Sequence, residues 1–355
     1  MTLLAAVILP ALASAHIASW GPGMYCRGGL PGQNNKNNNL PVAPLYQHSK
    51  ADWWFQHDRN CDTAPPPAGE FLELPVGGHF TVEHGNNQAF TTLSYDGAQV
   101  SDWPDGGQHP ADWHGEWKNG ECMPGGGWLH ATNESNAQGT AFAIAYKSDL
   151  TAIKMEDLVV FSVLEHTPFH RLATYDIPAG MPACPAGGCT CAFLWVPKGC
   201  GQPNMYMQGF KCKTTGAVGT KKIAKAQPPV WCAGDQSKCK KGAKQMIVFN
   251  QAEGNNVPVP DGETPVYNLA AGFKPGAQED IFEPGAASSS TSKASTLKAS
   301  KMPATSAHTS RTVSSSPHST TRPTPTSSTK AATTSAAQCN CLVEKTVTVT
   351  VTKSA

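Results

Sequence analysis

Apolar residues in this chain come in short bursts. LELPVGGHFTVEHG, TAFAIAYKS, LVVFSVLE, AFLWVP and QMIVFNQ each hold a few β-branched or aromatic residues bounded by Gly, Pro, Asn or Asp. Runs of this length and spacing predict the strands of a sandwich and argue against a helical bundle. The connecting stretches, CRGGLPGQNNKNNNLPVAP and SYDGAQVSDWPDGGQHPADWHGEWKNGECMPGGG, lack periodicity and are dense in turn formers. With 33 glycines and 29 prolines the chain is built for short elements and many turns. One antiparallel β domain with large surface loops is the expected architecture.

Both ends differ from this body. Residues 1–15, MTLLAAVILPALASA, form a short apolar run closed by Ala13 and Ala15, the small-x-small pattern of a signal-peptidase site, although no Lys or Arg lies near Met1. The run is too short to span a bilayer, and no later segment is longer and as apolar, so no membrane association is expected. From about residue 286 the chain turns into SSSTSKASTLKASKMPATSAHTSRTVSSSPHSTTRPTPTSST, which has almost no side chains able to bury surface. Ser/Thr-rich sequence with proline predicts a disordered, O-glycosylated stalk over 286–355, ending in TVTVTVT, whose role the residues leave open. That tail carries eight basic residues against the single acid Glu344, for +7, within a chain of net charge +1. A mildly acidic body with a basic tail, and only 15% charged residues, does not fit a nucleic-acid binder. The boundaries are therefore 1–15 signal peptide, 16–285 functional domain and 286–355 tail.

The body holds ten cysteines (26, 61, 122, 184, 189, 191, 200, 212, 232 and 239), and Cys339 and Cys341 lie in the tail. An even count in a secreted chain favours disulfides over a zinc site in CPAGGCTCAFLWVPKGC, with the pairing left open. Asn133-Glu134-Ser135 is a glycosylation sequon in a polar stretch.

Cleavage after Ala15 has a chemical consequence, because it leaves His16 as the first residue. An N-terminal histidine chelates through its α-amine and its ring nitrogen, and a second histidine would complete a tetragonal nitrogen set that favours Cu(II). The amine must lose a proton to bind, so affinity falls in acid. SDWPDGGQHPADWHGEW supplies His109 and His114 among Trp103, Trp113 and Trp117. His166 and His170 have helical spacing, but Pro168 between them opposes the helix, and no HExxH motif is present.

The mature start HIASWGPGMYCRGG, the loop ADWHGEW and the stretch CPAGGCTCAFLWVPKGCGQPNMYMQGFKC together resemble fungal lytic polysaccharide monooxygenases, specifically auxiliary activity family 14, over residues 16 to about 285. The resemblance implies an immunoglobulin-like or fibronectin III-like antiparallel β-sandwich with long loops, carrying one copper ion on an exposed surface. It implies that His16 and His114 form the histidine brace and that Tyr206 is the axial ligand, with Tyr175 as the alternative. Asn204 would stand where relatives hold a Gln or Glu beside the oxygen species.

The same resemblance implies a secreted, monomeric enzyme acting on xylan associated with cellulose, with an external electron donor and oxygen or hydrogen peroxide as partners. Three rivals stay open on residues alone: a non-catalytic polysaccharide-binding protein, a copper-binding protein without oxidase activity, and a two-carboxylate glycosidase. The last would release unoxidised sugars without a reductant, and no carboxylate pair stands out for it.

Overall fold

The computed structural model describes residues 16–110 and 129–284; residues 1–15, the segment 111–128 and the chain from 285 onward lie outside the described residues. His114, Trp113, Trp117, Cys122 and the whole tail fall in those segments. Among the described residues, no helix is long and apolar enough to cross a membrane.

The described strands form two sheets: β1 Ala18–Trp20, β2 Leu72–Pro75, β3 His79–Gly85, β4 Thr140–Ala145, β5 Val159–Leu164, β6 Leu172–Asp176, β7 Cys189–Trp195, β8 Tyr206–Thr215 and β9 Gly276–Ala277. The smaller sheet has the order β1-β3-β6, and the larger has β2-β8-β7-β4-β5-β9. Among the described residues, helix is confined to one α-turn, Lys50–Trp53, and scattered 3-10 turns. The runs expected to be strands contain β2 to β5 and β7, but QMIVFNQ does not form one: Met246 to Phe249 pack as a buried irregular segment. Its ladder partners are replaced by side chains, with Asn256 Oδ1 accepting from Val248 N at 2.8 Å and Tyr267 Oη from Ile247 N at 3.0 Å.

Between the described strands, pairing is antiparallel with one exception. β2 runs parallel to β8, in register Leu72 to Cys212 through Pro75 to Thr215, so the larger sheet is mixed and the expectation of a purely antiparallel architecture is corrected. β2 is an edge strand there, and the chain from 76 to 205 separates it from β8, the long connection that a parallel pair needs.

Alternation along the central strands shows how the layers pack. In β4, TAFAIA, Phe142 and Ile144 enter the core between the two sheets, where Phe142 meets Phe80 of the smaller sheet at 4.9 Å between ring centroids. Ala141, Ala143 and Ala145 point to the opposite face and meet a second core formed with Trp53, Phe55 and the chain from Met246 to Phe273. β7 divides the same way, with Cys191, Phe193 and Trp195 inward and Ala192 and Leu194 outward. Both faces of the larger sheet are therefore covered, which is why β4 and β7 are buried at every position. Long loops act here as a third layer.

The cysteine pairing left open by the sequence is decided by this topology. Cys26–Cys61, Cys184–Cys189, Cys191–Cys212 and Cys232–Cys239 are bonded, and Cys200 is disulfide-bonded as well. Cys191–Cys212 joins β7 to its neighbour β8. Among the described residues, no zinc cluster is made from these cysteines.

Candidate metal centre

The strand register sets one end of the larger sheet as a row. Trp195, closing β7, lies between Tyr206, opening β8, and Thr140, opening β4. β1 belongs to the other sheet, yet Ser19 N donates to Gln208 Oε1 of β8 at 3.3 Å, so the start of β1 is drawn across to this row. His16 stands two residues ahead of β1. Its Nδ1 lies 3.3 Å from the Tyr206 hydroxyl across 190 residues of sequence.

Tyr206 is 1% exposed and stacks on Trp195 with ring centroids 4.5 Å apart. Burial holds its hydroxyl pKa well above the usual phenol value, opposed by a hydrogen bond from the Asn204 side chain and by the charge of Arg59, so the group is a neutral phenol. Asn204 is buried as well, and its Oδ1 has no hydrogen-bond partner. His130, which the sequence reading did not single out, places Nε2 3.0 Å from the same hydroxyl. The only signal for it was a lone histidine in a turn-rich stretch, which by itself points nowhere.

Other sequence candidates separate from this group. Tyr175, on β6, directs its hydroxyl to Thr140 Oγ1 at 2.5 Å and to His84 Nε2 at 3.3 Å, inside the sandwich core. His109 shares a hydrogen bond with Asp105 Oδ2 at 3.0 Å and meets Trp103 edge-on. His166 and His170 lie in irregular chain around Pro168, as the proline required, and His170 stacks toward Trp103 at 4.6 Å.

His114 lies outside the described residues, but the chain leading toward it is anchored. The buried ion pair between Arg171 and Glu83 holds the chain on its N-terminal side: Arg171 Nε donates to Ser101 O at 2.5 Å, and Glu83 accepts from Thr92 N at 3.1 Å. Among the described residues, no three His, Cys, Asp or Glu side chains converge to hold a metal ion. A site whose described donors are one histidine and one phenol does not require them to.

The donor set tests well against copper. An imidazole nitrogen and a neutral phenol oxygen lie 3.3 Å apart, and the Asn204 side chain, whose amide oxygen has no partner, acts on the same phenol. Imidazole suits Cu(II), and a neutral oxygen can add a weak further donor.

Comparison with known proteins agrees over the full length. The family described as Lytic polysaccharide monooxygenase AA14 matches residues 1–355. The chain is 39% identical over 284 residues to an AA14 family lytic polysaccharide monooxygenase B of Talaromyces rugulosus, covering 77% of this chain and 94% of that protein. It is 35% identical over 291 residues to the AA14 family lytic polysaccharide monooxygenase B of Pycnoporus cinnabarinus, covering 78% and 72%. A two-sheet β body that brings His16 to Tyr206 and a sequence shared across that whole body lead to one conclusion: the chain belongs to auxiliary activity family 14 of the lytic polysaccharide monooxygenases, enzymes that cleave polysaccharides by oxidation.

Proposed function

We propose that this protein is a secreted, copper-dependent monooxygenase that starts at His16 and attacks xylan lying on cellulose. The observation that carries the reading is the approach of His16 Nδ1 to the Tyr206 hydroxyl at 3.3 Å, supported by family membership. His16 would hold copper through its α-amine and ring nitrogen, His114 would give the third nitrogen, and Tyr206 would add an oxygen donor. Asn204, with its amide oxygen unpartnered, would stand beside this donor set where the oxidant is used. Copper, when bound, would supply the one-electron chemistry by which oxygen, with electrons and protons supplied from outside, or hydrogen peroxide oxidises a sugar C–H bond to C–OH and water.

The chain's own contribution is geometric. A polymer on a solid surface cannot be drawn into a deep pocket, so the reactive group must stand at the protein surface. His16 is half-buried there, while the hydroxyl behind it is sealed by Trp195 and the β7–β8 turn. Burial keeps Tyr206 protonated, so it offers a neutral oxygen rather than a phenolate. The domain limits follow from the same reading: 1–15 is removed, 16–285 carries the activity and 286–355 is a glycosylated tail.

Mass analysis of products tests this directly. Copper-loaded protein with a reductant on xylan-coated cellulose should release oxidised xylo-oligomers, and omission of either copper or reductant should abolish them. Unoxidised sugars formed without reductant would mean a glycosidase. Adsorption without products would leave a binding protein.

A further inference from the structure

His130 lies behind Tyr206 and is used by none of the steps above. It is 2% exposed, and its backbone sits at φ 49°, a left-handed conformation that a non-glycine residue adopts only where its surroundings impose it. The surroundings do impose it. Nδ1 lies 2.6 Å from the carbonyl oxygen of Cys200, and Nε2 lies 3.0 Å from the Tyr206 hydroxyl. Trp195 packs edge-on against the His130 ring at 5.3 Å and stacks on Tyr206 at 4.5 Å, so one indole braces both.

The Cys200 carbonyl is itself delivered with care. It belongs to the β7–β8 turn, where Gly199 and Gly201 have φ 106° and 73°. A Cβ on Gly201 would stand 2.9 Å from His130 Nδ1, so only glycine lets the turn come this close. Cys200 is also disulfide-bonded, which ties the turn down.

Hydrogen positions follow from the partners. A carbonyl oxygen only accepts, so Nδ1 carries the hydrogen. In the neutral tautomer this leaves Nε2 as an acceptor, and the hydroxyl donates to it. With its proton aimed at His130, the Tyr206 oxygen turns lone-pair density toward His16.

We propose that His130 is a positioning residue that fixes the direction of the Tyr206 hydroxyl proton and so presents the phenol oxygen to the space beside His16. The inference rests on the reading of His16 and Tyr206 as part of one metal centre. In this role His130 acts through Tyr206.

The first test needs no variant. In metal-free, full-length protein with 15N-labelled histidine, long-range nitrogen–proton correlation should show His130 with hydrogen on Nδ1 and a bare Nε2. Hydrogen on Nε2 would overturn the proposal. In the second, His130→Phe keeps a ring and removes both nitrogens, while His130→Gln returns an acceptor. The tyrosine Raman doublet of the metal-free His130→Phe protein should shift toward a non-donating phenol. Its copper affinity should fall about tenfold, the low end for loss of an outer partner, with altered copper paramagnetic resonance parameters. Both effects should be partly restored in His130→Gln. A folded His130→Phe protein with unchanged Raman and copper spectra would sink the idea. If neither variant folds, the wild-type nitrogen spectrum decides alone. Should wild-type protein bind copper yet oxidise no polysaccharide, the functional reading fails while these spectra still decide the role of His130.

Discussion

His16 and His114 differ from every other histidine of the chain in what their loss should do. His114→Ala is expected to remove a nitrogen ligand and lower copper affinity by more than the ~10–100-fold that loss of an outer partner costs. His109→Ala should leave affinity nearly unchanged, because its ring is engaged by Asp105 and rests edge-on against Trp103. Calorimetric titration of both variants with copper checks the ranking, and the reverse order would transfer the brace to His109. A single residue left ahead of His16 would turn its amine into an amide and should weaken copper binding as severely. Tyr206 and Tyr175 show how context separates identical side chains. One hydroxyl meets His16, and the other closes a buried network with Thr140 and His84.

Elements carry the next layer of explanation. β4 is short, yet its two faces serve two cores, with large residues on one and alanines on the other. Phe142 is fully buried and lies within 6 Å, centroid to centroid, of Phe80, Tyr175, Phe193 and Phe210. Phe142→Ala is therefore expected to cost ~3–5 kcal/mol, measured as a fall in urea midpoint at unchanged slope. A loss below ~1 kcal/mol would show that the sandwich core relaxes into the space. The β7–β8 hairpin has a different duty. Its turn carries the Cys200 carbonyl and Asn204, and the pair that closes on the turn is Trp195 with Tyr206, so the candidate site hangs on one supersecondary unit cross-linked by Cys191–Cys212.

For the whole molecule, His84 couples stability to acidity. It is fully buried on β3, and burial lowers its pKa from 6.5 to about 3 against a weaker opposing effect of the His170 carbonyl. Above pH 6.5 the ring is neutral folded and unfolded, so it adds no pH dependence. Between pH 6.5 and about 3 the unfolded chain takes up a proton that the folded protein refuses, and stability falls as pH falls. The slope from this one group is up to ~1.4 kcal/mol per pH unit. Urea unfolding of wild type and His84→Gln across that window should show the smaller slope in the variant; equal slopes would remove His84 as the cause. Truncation after Pro284 is expected to leave copper binding and intrinsic oxidation unchanged, since His16, His114, Asn204 and Tyr206 all precede the cut. Loss of copper from the truncated protein would refute the boundary. If the basic tail serves adhesion, the same cut should weaken retention on glucuronoxylan at low salt and make no difference at high salt, where charge is screened.

Much was legible in residue order, because local chemistry decides it. Short apolar runs between glycines and prolines dictated strands, as β2 to β5 and β7 show. The motifs sufficed for the family as well. Other features depended on residues far apart in the chain. The parallel pairing of β2 with β8, the cysteine pairing and the wrapping of Met246 to Phe273 over the larger sheet arise from how layers close on each other. QMIVFNQ carries a strand's composition but packs where no ladder is offered. His130 gained its meaning only when a glycine turn some 70 residues away brought a carbonyl to one nitrogen and β8 brought a hydroxyl to the other. A side chain's type is written locally; its hydrogen-bond partners are set by the tertiary packing that encloses it.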